Sequence, residues 1–83
     1  MTSFKIGQLV RRIQANPHHI MAQGSTGIVL SVGTWTLALS VVNCVKNENI
    51  NQVFEKGDIA IYPKEDFAPC NQIVLKRKPI NEN

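Results

Sequence analysis

Basic side chains are concentrated near both ends of this 83-residue chain, where they could bind phosphate groups. Several lysines and arginines on one surface neutralise phosphates and release counterions, which is how proteins bind nucleic-acid backbones. The net charge is +3, and five of the six acidic residues lie between positions 48 and 66. The candidate nucleic-acid ligands are Arg11, Arg12, Lys76, Arg77 and Lys78. They form one patch only if the fold brings the two ends together, and the alternative is a solvated rim.

A long loop and one tryptophan are the candidate contacts for a protein partner. Residues 14–26 contain Pro17 and Gly24 without a sustained hydrophobic period, which predicts a loop with Ile20 or Met21 packed against the core. Trp35 lies in a predicted turn, where an exposed indole would anchor a partner. The alternative is that Trp35 covers one end of the core. The candidate partner-binding residues are His18, His19, Ile20, Met21 and Trp35.

The other reactive side chains form no recognisable catalytic or metal-binding pattern. His18 and His19 are adjacent, and because successive side chains point apart they make a poor chelate. Cys44 and Cys70 lack the C-x-x-C spacing of metal and redox sites, so we expect reduced, unligated thiols. Residues 24–27 lack the length and the lysine of a phosphate-binding loop. We therefore predict a protein that is not an enzyme and needs no cofactor or metal.

The composition is that of a small folded domain. Hydrophobic residues make up 43% of the chain and charged residues 18%, which argues against disorder. We predict one domain over residues 1–78 and a polar tail over residues 79–83. The apolar runs are much shorter than the about 20 residues that cross a bilayer, and the start does not resemble a secretory signal. The sequence thus predicts a cytoplasmic protein without membrane contact.

Short alternating segments separated by turn residues predict an all-β fold of five strands. Residues 36–45 alternate most clearly, with Leu37, Leu39, Val41 and Val45 on one face. Pro63 presets the entry to a single 3₁₀ or helical turn, which precedes the last strand. The five predicted strands lie within residues 4–13, 27–32, 36–45, 57–63 and 73–75. The predicted core consists of Val10, Ile28, Leu30, Leu39, Val41, Ile59, Ile61 and Phe67.

Two glycine-containing segments carry a resemblance to a known fold. Gly7-x-x-Val10 opens the first strand, and Gly24-x-x-Gly27-x-Val29 opens the second. With the strand inventory, they resemble Src-homology-3-like small β-barrels over residues 4–77, closest to KOW-type barrels and small barrel proteins of tailed bacteriophages. The resemblance implies a five-stranded barrel whose first and last strands pair antiparallel. Such pairing would bring the two basic runs together.

The residues and the resemblance leave two functional hypotheses. The first, which we favour, is a non-catalytic protein-interaction or assembly module, which the resemblance places as an accessory of a bacteriophage particle or of host takeover. The second is a KOW-like barrel that binds nucleic acid through the basic patch. Added salt separates the two, because phosphate binding weakens steeply with salt and an apolar protein contact does not. The sequence indicates neither the identity of the partner nor the oligomeric state.

Overall fold

The computed structural model describes residues 3–70 of the chain. They form five strands and one 3₁₀ turn, which confirms the predicted all-β fold with one helical turn before the last strand. In chain order the elements are β1 (Leu9–Arg12), β2 (Thr26–Val32), β3 (Thr36–Asn43), β4 (Ile59–Pro63), the 3₁₀ turn (Lys64–Asp66) and β5 (Phe67–Pro69). No helix in this part of the chain has the length and apolar character needed to cross a membrane.

The strands form one antiparallel sheet in the order β4-β3-β2-β1-β5. β1 pairs with β5, with Arg11 opposite Ala68, so the first strand lies beside the strand that follows the turn. The sheet is open over the described residues, and the predicted closure into a barrel stays a prediction. The predicted strand at residues 73–75 and the tail at 79–83 lie outside the described residues.

The core lies on the inner face of this sheet, and β3 supplies its centre. Leu37, Leu39 and Val41 are fully or almost fully buried, as the period-2 alternation predicts. β3 ends at Asn43, two residues before its predicted end, so Val45 lies beyond the strand and is 39% exposed instead of sharing the inward face. The buried hydrophobic cluster consists of Val10, Met21, Val29, Leu37, Leu39, Val41, Ala60 and Phe67. Four predicted core residues are thereby confirmed, namely Val10, Leu39, Val41 and Phe67.

The predicted inward face of β4 is wrong by one residue. Ile59 and Ile61 are each 64% exposed, whereas Ala60 between them is 3% exposed. The pairing with β3 explains this result, because Ala60 lies opposite the inward-facing Leu39. Since side chains alternate along a strand, a shift of one position turns both isoleucines outward. The sequence pattern had favoured the bulkier of two possible faces.

The predicted inward residues of β2 are also wrong. Leu30 is 42% exposed and Ile28 is half-buried, whereas Val29 is fully buried. Gly27 fits the inner face because a Cβ atom there would lie 3.1 Å from the backbone oxygen of Ser40. Leu30 falls at an irregularity in the pairing between β2 and β3, which leaves it without an opposite residue. The nearly continuous apolar sequence of β2 did not specify which residues face inward.

Candidate protein-binding site

Trp35 lies at the end of the tight turn between β2 and β3. The amide of Gly33 donates a 2.8 Å hydrogen bond to the carbonyl of Thr36, which closes this turn. The carbonyl of Trp35 accepts a 2.9 Å hydrogen bond from the amide of Lys64, so its backbone is fixed to the start of the 3₁₀ turn. The side chain is nevertheless 80% exposed. The alternative that Trp35 covers the core is therefore wrong.

The indole borders a surface groove of about 550 Å³, which we call the Trp35 groove. Its apolar lining comes from Phe4, Ile13, Trp35, Phe67 and Ala68. Its polar lining comes from Thr34, Lys64 and Glu65. An apolar floor with a few polar groups is the usual composition of a binding site, and the volume lies in the range of ligand pockets. The groove is thus suited to an apolar side chain or a short peptide segment.

A buried polar cluster around Arg12 lies next to Phe67, one of the residues that line the groove. The Arg12 guanidinium is fully buried and makes four hydrogen bonds. Nη2 donates to Oδ2 of Asp66 at 2.8 Å, and Nη1 donates to the carbonyl of Met21 at 2.9 Å. The guanidinium carbon also lies 4.1 Å from the centre of the Tyr62 ring. We call Arg12, His19, Tyr62 and Asp66 the Arg12 cluster.

The burial of Arg12 corrects the predicted basic patch. The N–H groups of Arg12 form hydrogen bonds inside the protein, and the side chain is buried, so Arg12 is not an exposed phosphate ligand. Arg11, which precedes Arg12, lies on the outer face of β1. It is exposed and can still contact a phosphate group. Lys76, Arg77 and Lys78 lie outside the described residues, so the convergence of the two basic runs stays a prediction.

His19 and its neighbours in the loop are divided between core and surface. Nδ1 of His19 lies 2.7 Å from Nη2 of Arg12, and its ring lies against that of Tyr62, with centroids 4.7 Å apart and planes tilted by 32°. Burial, followed by the charge of Arg12, lowers the pKa of His19 from its ordinary value. Met21 is fully buried, which confirms its packing against the core and corrects its assignment as a partner contact. His18 is exposed and Ile20 is half-buried.

Asn47 attaches the same loop to the segment that follows β3. Its Nδ2 lies within hydrogen-bonding distance of the carbonyls of Asn16, Pro17 and His19, the last at 2.8 Å. Its Oδ1 accepts a 2.9 Å hydrogen bond from the amide of Asn49. The residue is 8% exposed, so these bonds satisfy a buried amide. Asn47 belongs to no motif or hydrophobic period, so the sequence alone does not predict its role in this contact.

The two cysteines are free in the structure, and neither lies in the Trp35 groove. Burial raises the pKa of the Cys70 thiol, which disfavours the reactive thiolate. Cys44 is half-buried. Within residues 3–70, no group of three or more histidine, cysteine or acidic side chains is arranged to hold a metal ion.

The described residues define an antiparallel β protein with one open sheet and an apolar surface groove beside an exposed tryptophan. No protein-family model matches the sequence, and no curated protein or solved structure is significantly similar to it. The chemistry of the groove and of the Arg12 cluster is therefore the basis for a functional assignment.

Proposed function

We propose that this protein is a non-catalytic interaction module that binds another protein through the Trp35 groove. The observation that carries the proposal is the 80% exposure of the only tryptophan in the chain, at the border of an apolar groove. Removing a large apolar side chain from water on binding a partner lowers the free energy of the complex. Tryptophan is also enriched among the residues that dominate binding energy at protein interfaces.

The backbone around Trp35 supports this role. The turn hydrogen bond from Gly33 and the bond from Lys64 fix the main chain on both sides of the indole. A contact residue on a fixed backbone loses less conformational freedom on binding than one on a loose loop. Lys64 and Glu65 add one positive and one negative group to the groove, which suits the polar rim of a protein interface.

We also propose that the chain adopts a Src-homology-3-like barrel. The pairing of β1 with β5 and the 3₁₀ turn before β5 support a Src-homology-3-like barrel, as Gly7 and the segment 24–29 suggested. A bacteriophage accessory acting in the host cytoplasm is the biological setting that this resemblance favours. Nucleic-acid binding has less support, because Arg12 is buried and Arg11 is the remaining member of the basic patch within the described residues.

A capture experiment tests the proposal. The wild-type protein, Trp35→Ala and the matched control Ile61→Ala would be immobilised and exposed to a lysate of the native host. Ile61 is exposed but lies outside the groove, so the control removes exposed apolar surface elsewhere. Retained proteins would then be purified, and their affinity for each variant measured by calorimetry.

We expect a partner that binds the wild type and Ile61→Ala equally and Trp35→Ala at least about tenfold more weakly. Binding should survive nuclease treatment and added salt, because an apolar contact depends little on ionic strength. Equal affinity for all three variants would contradict the proposal. Retention that nuclease or moderate salt abolishes would favour the nucleic-acid hypothesis instead.

A further inference from the structure

The contact between His19 and Arg12 specifies the protonation state of the histidine. A guanidinium can only donate hydrogen bonds, so Nδ1 of His19, 2.7 Å from Nη2 of Arg12, has to be the acceptor. Nδ1 accepts only when it carries no proton, which makes His19 the neutral tautomer with its proton on Nε2. Protonation at Nδ1 would place two donors and two positive charges at this distance.

The charged and titratable groups around His19 come from four parts of the fold. Arg12 on β1 and His18 in the loop disfavour the charged imidazole, and Asp66 in the 3₁₀ turn favours it. Tyr62 on β4 lies against the ring. Asp66 accepts hydrogen bonds from Arg12 and from the side chain of Gln14, so both of its carboxylate oxygens already have donors other than His19. Burial adds to the effect of Arg12, and the pKa of His19 is lowered overall.

His19 also lies at a point of attachment for residues 13–25, the loop between β1 and β2. Its side chain contacts Arg12, its carbonyl accepts from Asn47, and Arg12 also binds the carbonyl of Met21 two residues later. The Arg12 guanidinium therefore attaches the loop at three positions, Gln14, His19 and Met21, and the one at His19 requires a neutral histidine.

We propose that His19 is a pH-sensitive latch, whose neutral side chain fastens the loop of residues 13–25 to Arg12 and whose protonation releases it at mildly acidic pH. On release, the imidazolium leaves Arg12 and the Tyr62 ring, while Arg12 keeps its bonds to Asp66 and Met21. The loop loosens around residues 18–20 without unfolding of the sheet. This inference goes beyond the proposed function and does not depend on it.

The sign of the pH dependence follows from linkage. The pKa of His19 is lower in the folded protein than its ordinary value of 6.5, so between these two values the unfolded chain binds more protons than the folded one. Stability therefore rises with pH through this window. The contribution of His19 is complete above pH 6.5 and is lost as the pH falls towards the folded pKa.

A nuclear magnetic resonance titration of the imidazole signals from pH 8 to pH 4.5 is the direct test. We expect His19 to titrate below 6.5, with the signals of the Met21 amide and the Tyr62 ring moving at the same midpoint. A His19 midpoint at or above 6.5 would overturn the proposal, as would a titration that leaves Met21 and Tyr62 unaffected. This measurement needs only the wild-type protein.

Two glutamine variants complete the test. Gln keeps a hydrogen-bond acceptor and does not titrate, so we expect His19→Gln to lose part of the decline in urea-unfolding midpoint between pH 7.5 and pH 5. The matched control, His18→Gln, replaces the exposed neighbour and should keep most of the wild-type decline, because His18 contributes least to the pKa shift of His19. Identical pH profiles for His19→Gln and the wild type would contradict the latch.

Discussion

Arg12 and Asp66 lie 54 positions apart in the chain and form a buried ion pair, with Nη2 and Oδ2 2.8 Å apart. The Arg12 side chain is 0% exposed and that of Asp66 is 10% exposed. Removing two charges from water is unfavourable, and the pair is tolerated because further hydrogen bonds satisfy its other polar atoms. Over the described residues, every buried side-chain nitrogen and oxygen has a partner. The pair joins β1 to the 3₁₀ turn, and the sequence neighbours of the two residues, Ile13 and Glu65, line the Trp35 groove.

Replacement of Asp66 by alanine should destabilise the protein strongly. Removing one partner of a buried ion pair leaves an uncompensated charge and typically costs about 3–5 kcal/mol. A domain of this size has a free energy of unfolding of about 5–15 kcal/mol, so Asp66→Ala should approach the limit of folding. Urea denaturation followed by circular dichroism measures the loss. Glu65→Ala removes the exposed neighbouring acid and should unfold like the wild type; similar curves for both variants would contradict the role of the pair.

Replacement of Asn47 by alanine should weaken the attachment of the loop. The variant leaves the carbonyl of His19 without its 2.8 Å donor, and loss of such a buried partner costs about 1–3 kcal/mol. The measurement is the thermal unfolding midpoint, which should fall by several degrees. Asn49→Ala is the matched control, because Asn49 contributes its backbone amide and not its side chain to this contact. An unchanged midpoint for Asn47→Ala would show that the loop is held by other contacts.

The pairing of β4 with β3 can be tested with an exposed residue of β4, Ile61, and a buried residue of β3, Leu39. Leu39→Ala should cost about 2–5 kcal/mol, because Leu39 is fully buried opposite Ala60. Ile61→Ala should change the free energy of unfolding by about 0.5 kcal/mol or less, because its side chain is largely in water. Urea midpoints of the two variants give the comparison. A large loss for Ile61→Ala would restore the pattern that the sequence suggested for this strand.

The thiols should differ in reactivity. The pKa of Cys70 is raised by burial, so at pH 8 little of it is thiolate and alkylation should be slow. Cys44, which is half-buried, should react faster. Rates of iodoacetamide labelling in Cys44→Ser and Cys70→Ser isolate each thiol, and the Cys70 rate should increase on raising the pH. Faster labelling of Cys70, or an intact mass that reveals a bridge, would refute the expectation of a reduced and protected thiol.

The sequence predicted those parts of the fold that depend on local pattern. The alternation of Leu37, Leu39 and Val41 identified β3 and its buried face, and Pro63 marked the entry to the 3₁₀ turn. Both signals act over a few neighbouring residues. By contrast, the inner face of β4 depends on which residue lies opposite Leu39, and this pairing is a tertiary relationship. An Ile-x-Ile pattern has two possible faces, and hydrophobicity alone selected the wrong one.

The site was predicted only in part, for a similar reason. The position of Trp35 in a turn marks it as a candidate contact, but the sequence pattern is compatible both with an exposed indole and with one that covers the core. The roles of Arg12 and Asn47 do not follow from the neighbouring sequence. Arg12, beside Arg11, has the local pattern of a surface residue. Its burial depends on Asp66, 54 positions further along the chain. Contacts between distant polar residues leave no periodic signal in a sequence.

The pairing of β1 with β5 constrains the order in which the chain can fold. β2 and β3 are joined by a three-residue turn, whereas Arg11 pairs with Ala68 near the end of the described residues. Ordering a long loop is entropically unfavourable, and distant pairings form slowly. A ribosome adds about 5–20 residues per second, so β1 emerges seconds before β5. Over that interval the nascent chain has an open strand edge on β1 and an arginine without its carboxylate, and an unpaired edge of this kind can pair with a strand of another chain.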